Sequence, residues 1–330
     1  MFEPLHTTLE QAGGWTPLLY LFLFLDASFL MIWRQDALAR KGMEGTALGT
    51  LIMPYCSGLG NLLFVFVMLR HRDAGGEVLV NSIVNNVTNL TLLIGLPTLI
   101  WGMSVIPVGK IKAREAVEHH VNRLSLLVTL IAVFFFTGAV WMLARDGELN
   151  RGDGMTLIAL FLFWQATQVF DVMKSNARKN TSLPRSIALD LLLIGLGGAI
   201  SYFAIEGLVE WLMKSRTGFL NAGNLGWLSG WLMVLPNALM AFYYAWKKQP
   251  DVVYSSQVGD GHICIPLCVG LYATFEPMEA TRMLQTGCLV IGAAAAIHFV
   301  CVATLGRLPR WLGALLSLAY AGFVYSGLIR

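Results

Sequence analysis

The chain has 330 residues, 56% of them hydrophobic and only 13% charged, with a mean hydropathy of +0.64. Soluble domains carry about 25% charged residues, so this composition excludes a water-soluble enzyme or binding module and indicates a helical protein that crosses a lipid bilayer repeatedly. The net charge of +3 comes with no basic, aromatic-rich surface outside the apolar stretches, which excludes nucleic acid as a partner.

In chain order, ten apolar segments are long enough to cross a bilayer: 16–33, 45–69, 77–104, 122–143, 155–173, 187–212, 224–246, 252–275, 284–305 and 310–328. The connections between them are short and leave no room for a separate soluble domain. The opening residues, MFEPLHTTLEQ, carry no Lys or Arg, and the first apolar run holds Asp26 with no A-x-A site after it, so no cleavable signal is expected. Of the 23 Lys and Arg, 15 fall on one side of the predicted topology and 8 on the other. Cytoplasmic loops carry the excess, which places both termini outside the cytoplasm of a multi-pass protein, expected in a cell's inner membrane.

The third segment, VLVNSIVNNVTNLTLLIGLPTLIWGM (78–103), is apolar in length but carries Asn81, Ser82, Asn85, Asn86, Thr88, Asn89 and Thr91. Amides and hydroxyls that dense in hydrocarbon are costly unless they face other helices or a wet cavity. Asn85 and Asn89 are four apart and share one helical face. Such a face suits a cation pathway, and it equally suits hydrogen-bonded packing between helices; the residues alone leave both readings open.

The eighth segment holds Asp260 between Gly259 and Gly261. An acid at this depth is a functional candidate by default. Asp260, Cys264 and Cys268 form an i, i+4, i+8 row, with His262 and Cys56 as further donors for a soft metal such as copper(I) or zinc. The run GHICIPLC matches no established metal spacing, however, and buried free cysteine ordinarily behaves as a small apolar residue. Asp26 lies deep in the first segment, where it either relays protons or pairs with a neighbouring helix. The chain contains no P-loop, no H-E-x-x-H and no nucleophile–base arrangement, so no enzyme activity is expected.

The hydrophilic run KSNARKNTSLPRS (174–186) divides the chain into halves, 1–173 and 187–330, with features in the same order. Each half opens with an acid-bearing segment, around Asp26 and around Glu206 and Glu210. Each continues with a segment interrupted by Gly or Pro (57–68 and 230–246), then a polar-faced one (81–96 and 255–271). Five segments per half is an odd number, so equivalent helices cross in opposite directions. The expected fold is an all-α polytopic membrane protein of about ten transmembrane helices in two inverted five-helix repeats joined by a cytoplasmic linker.

These residues resemble the calcium/cation antiporter superfamily, which contains the sodium/calcium exchangers, and the chain looks like a diverged bacterial-type member. Repeats of that family carry G-T-S-x-P-E, a short loop, then G-N-x-x-G-S-N-x-x-N. NSIVNNVTNLTLLIGL resembles the later part of the first repeat, and LMVLPNALMAFYYAWKKQPDVVYSSQVGDGHICIPLCVGL the whole of the second. AIEGLVEWLM resembles the helix that opens a repeat, and ARDGELNRGDGMTLIALFLFW (144–164) the connection and fifth helix of bacterial members. The departures are specific. The P-E pair reads Pro236-Asn237 in the second repeat and, with a one-residue gap, Gly60-Asn61 in the first, so both signature glutamates are replaced by amides.

The resemblance implies an ion site built from Asp260, Asn61, Asn85, Asn89, Asn237 and Cys264, with Asp26, Ser82 and His262 as secondary candidates. Calcium sites use several hard oxygens that include carboxylates, and this set has one carboxylate. The expected cargo is therefore a monovalent cation or a proton, with calcium disfavoured, and no organic cofactor is expected. The expected function is cation antiport by alternating access. The loss of both glutamates leaves one alternative: a transport-silent membrane subunit that keeps the fold for assembly or regulation among membrane-protein partners.

Overall fold

The computed structural model describes residues 11–40, 53–71, 74–105, 113–179 and 187–328, together with His6 and Leu9; side chains at 35–36, 39–40, 53–57, 113–122, 171–179, 216–217 and 251 lie outside the description. Apolar sequence in a bilayer has to satisfy its backbone polar groups internally, and the chain does so almost entirely with helices. In order these are α1 (Thr16–Arg40), α2 (Met53–Met68), α3 (Gly75–Val87), α4 (Leu93–Trp101), α5 (Ala113–Leu143), α6 (Arg151–Lys179), α7 (Ile187–Lys214), α8 (Leu225–Trp246), α9 (Pro250–Ile263), α10 (Gly270–Phe275), α11 (Arg282–Leu305) and α12 (Arg310–Leu328). A π-helical turn, Thr88–Leu92, joins α3 to α4, and another, Cys264–Val269, joins α9 to α10.

The result is ten helical runs among the described residues, and eight of them are long and apolar enough to cross a membrane. The other two are α2, whose described apolar stretch is Gly58–Met68, and α6. Part of the linker expected at 174–186 is helical: α6 runs on to Lys179, and 180–186 lie outside the described residues. The stretch 114–120 belongs to the opening turns of α5.

The runs sort by burial. The Gly75–Trp101 and Val252–Phe275 runs each have 78% of their window buried, whereas Arg310–Leu328 has 22%. The polar-faced segments are the central ones because lipid cannot solvate amides, while purely apolar helices lose nothing by facing lipid.

Contacts recur in matched pairs. The α3 helix packs on α8, and α9 packs on α2; α4 lies against α12, and α10 against α6. The α3 helix also meets α11 as α9 meets α5, while α1 lies along α7 and α5 along α11. Short antiparallel pairings tie the ends: Met103–Ser104 with Arg307–Leu308, and Glu148–Leu149 with Met278–Glu279. Among the described residues, Arg34 pairs with Asp190 of α7 at 3.5 Å, and Glu206 of α7 meets Arg70, with His6 Nε2 3.6 Å from it as well.

Glycine sets the two outer crossings. A Cβ added to Gly313 would lie 2.5 Å from the Gly95 carbonyl oxygen, and one added to Gly154 would lie 2.7 Å from that of Gly270. Backbone therefore meets backbone where α12 crosses α4 and where α6 crosses α10, a contact available only to residues without side chains. Gly313→Ala should cost about 1–3 kcal/mol by overpacking against a backbone that has no free rotamer to yield. Gly322→Ala, on the same helix with open space around it, should be neutral or slightly stabilising because alanine is the better helix former. Thermal unfolding of both variants in detergent checks this; equal melting temperatures would show that the crossing tolerates a methyl group.

Candidate ion-binding site

The centre is assembled on one carboxylate. Asp260, on α9, is 0% exposed. Its Oδ2 accepts hydrogen bonds from three amide groups: Asn85 Nδ2 at 2.8 Å, Asn89 Nδ2 at 2.8 Å and Asn237 Nδ2 at 3.1 Å. Asn85 and Asn89 come from successive turns of the α3 run, and Asn89 sits inside the first π turn. Asn237 follows Pro236 within α8. Asn85 Nδ2 also lies 3.2 Å from Cys264 Sγ, one turn beyond Asp260 and at the start of the second π turn. Pro266 falls within that π turn, and since proline has no N–H the regular i→i−4 ladder cannot pass through it.

The α2 helix closes the other side. Gly58 presents bare backbone, and a Cβ built there would lie 3.2 Å from Asp260 Oδ1. Asn61, three residues on, shares that face. It is 0% exposed, and neither atom of its amide has a hydrogen-bond partner among the described residues.

An ionised carboxylate only accepts, so the surrounding amides must turn their N–H groups toward it. Their oxygens are then left over. Asn61, Asn85, Asn89 and Asn237 each keep a buried side-chain oxygen with no partner among the described residues. Buried polar atoms are nearly always paired, so a cluster of unpaired acceptors around one acid calls for an explanation. Acceptor oxygens beside a carboxylate are the donor set of a hard cation. With its amides as placed, the centre holds an anion by neutral donors; rotation of the same amides would surround a cation with oxygen.

Not every sequence candidate arrives here. Ser82 is buried on α3, and its backbone carbonyl accepts from Asn86 Nδ2 at 2.7 Å. His262 turns away, with Nε2 3.2 Å from the Thr129 carbonyl on α5 and its ring 5.3 Å from that of Trp164. Asp26 lies on an exposed face of α1. Cys56 has no described side chain. Gln257, which sequence reasoning did not single out, donates to the Asn237 backbone carbonyl at 3.2 Å and keeps a buried, unpartnered Oε1. Its signal was available, since it lies three residues before Asp260 on the same helix face. His298 on α11 gave no signal; its Nε2 is 2.8 Å from the Leu90 carbonyl in the first π turn, supplying a donor where the helical ladder shifts.

The fold has counterparts among known proteins. The family model described as sodium/calcium exchanger protein matches residues 14–170. The likeness to that family in sequence covers just under half of the chain. No curated protein matches it in sequence. Three solved structures of the sodium-calcium exchanger NCX_Mj share its fold. One soaked with 2.5 mM Na+ and 10 mM Sr2+ aligns over 94% of this chain and 97% of its own at 20% identity, with a TM-score of 0.66. One soaked with 10 mM Na+ and zero Ca2+ gives 94%, 97%, 18% and 0.63. One soaked with zero Na+ and Ca2+ gives 95%, 97%, 19% and 0.64. The chain is thus a multi-pass membrane protein with the exchanger fold.

Hydrogen bonds to a charged group inside the protein are among the stronger ones. Asn85→Ala should destabilise this protein by about 1–3 kcal/mol, by removing a donor from a buried carboxylate. Asn237→Ala should cost less, since its bond is longer and, among the described residues, only Asn85 also bonds Cys264. Thermal unfolding in detergent at neutral pH reads the order, and a reversed order would put the weight of the network on α8.

Proposed function

We propose that this protein is a cation antiporter working by alternating access, and that its ion site comprises Asp260, Asn61, Asn85, Asn89, Asn237 and Cys264. The observation that carries the reading is the convergence of three amides on the buried carboxylate of Asp260, with four amide oxygens left without a partner among the described residues. The first half of the chain supplies Asn61, Asn85 and Asn89, and the second supplies Asn237, Asp260 and Cys264. On this reading the halves are inverted five-helix repeats, 1–173 and 187–330, joined by a cytoplasmic linker at 174–186. The matched contacts, the paired π turns and the paired glycine crossings support it. Both termini are proposed to lie outside the cytoplasm of a cell's inner membrane.

The donor chemistry favours a monovalent cation, exchanged for another or for a proton. One carboxylate balances one charge, whereas a divalent ion in this set would keep an uncompensated positive charge in a low-dielectric centre. The family's signature glutamates stand here as Asn61 and Asn237, so the site is read as diverged rather than as a calcium site. A second reading has an observation of its own: the amides bond the carboxylate directly, which is also how a closed structural core would look. In that case the protein is a transport-silent membrane subunit.

Proteoliposome flux across a panel of alkali cations, calcium and protons tests both. The proposal expects saturable monovalent-cation exchange, lost on Asp260→Asn by at least a factor of about ten, one decade being about 1.4 kcal/mol of binding free energy. The variant protein should remain monodisperse, because the amide is nearly isosteric. Exchange that survives in Asp260→Asn would move the pathway elsewhere, and absence of flux in both proteins would favour the subunit.

A further inference from the structure

The hydrogen bonds around Asp260 bear on what the carrier does when no ion is bound. A cation that leaves a buried site leaves its counter-charge behind, and an uncompensated charge cannot be closed off from water. That constraint forces an exchanger to wait for a second ion before it turns over. Here the remaining charge is one carboxylate, whose Oδ2 is held by Asn85 and Asn89 from the α3 run and by Asn237 from α8. Neutral N–H groups take the place of the ion. They reach Asp260 from two different helices, so the bonds that compensate the charge also draw the centre shut. Asn61 remains buried beside them with a free amide, able to present oxygen to an ion without adding charge when none is there.

We infer that the empty carrier closes and returns without an ion, so that this protein conducts net, uncoupled flux of a monovalent cation in addition to exchange. The inference rests on the site assignment proposed above. Occupied and empty states differ by rotation of the amides: oxygens toward a bound cation, N–H groups toward the bare carboxylate. A centre with two acids lacks this option, because amides that donate to one acid leave the other uncompensated.

Purified full-length protein in liposomes tests it, with radiolabelled sodium as the probe. The vesicles contain N-methylglucamine gluconate at the same pH as outside, so they hold no alkali cation to exchange, and sodium–proton exchange, being electroneutral, gives only an uptake that thiocyanate does not change. External thiocyanate then sets an inside-negative potential. Electroneutral exchange ignores that potential, whereas net movement of one positive charge follows it. A potential of about 60 mV should raise sodium uptake about tenfold over a gluconate control. Uptake that requires unlabelled sodium inside and ignores thiocyanate would overturn the inference while leaving the ion site standing. No uptake under either condition would overturn the site assignment with it. Asn85→Asp supplies the second arm, since it places a second carboxylate against Asp260. The ratio of thiocyanate-driven uptake to exchange should then fall at least about tenfold. An unchanged ratio would show that the amide hydrogen bonds do not govern return of the empty carrier.

Discussion

The structure depends on the need to hold one carboxylate in the centre of an apolar helical bundle. Asp260 cannot be left bare there, and two of its three amide donors have to be brought from a helical run distant in sequence: Asn85 lies 175 residues and Asn89 171 residues away, while Asn237 lies 23 away on the preceding helix. Much of the surrounding architecture follows. The α3 run and the α9 run must both be central, α8 must present Asn237 at the same level, and α2 must come close enough that Gly58 meets Asp260 without a side chain between them. The amides are the reason these helices are buried, not a passenger on helices buried for other reasons.

Close approach in a bilayer cannot come from the hydrophobic effect, because lipid tails are as apolar as leucine. Surface shape and polar contacts do the work instead. Gly95 against Gly313 and Gly270 against Gly154 let the outer helices touch backbone to backbone. Asn81 bonded to Ser229 at 2.9 Å joins α3 to α8 a turn away from the site. The π turns belong to the same economy. One extra residue in a turn rotates everything that follows by about 100°, so residues beyond the turn present a different face from the one a regular helix would give. The freed backbone group is met by a neighbour, as His298 meets the Leu90 carbonyl.

Much of the fold was legible. Eight of the ten apolar segments correspond to helices long and apolar enough to cross a membrane, and the polar-faced third and eighth segments are the most buried. In the candidate site, the prominence of Asp260 and the shared face of Asn85 and Asn89 follow from depth and from helical period alone. His262 and Asp26 show the limit. His262 is two residues from Asp260 and therefore on another face, and it meets Thr129 and Trp164 instead. Asp26 has the same composition cues as a central acid, yet its face of α1 looks outward. Nothing local to a helix says which way it is rotated against its neighbours.

Composition and spacing by themselves determined that this chain lives in a membrane, that it is built of helices and which of them carry polar faces. Those properties follow from transfer free energies and from the 3.6-residue period, which are local. Only the tertiary structure decided that Asn85, Asn89 and Asn237 meet on one oxygen of Asp260, that their carbonyl oxygens remain unpaired, and that Gln257 and His298 stand behind them. Convergence of that kind depends on helix rotation, on the register shift introduced by each π turn and on glycine-controlled distances between helices. Each of these is a relation between segments far apart in the chain, and no single segment contains it.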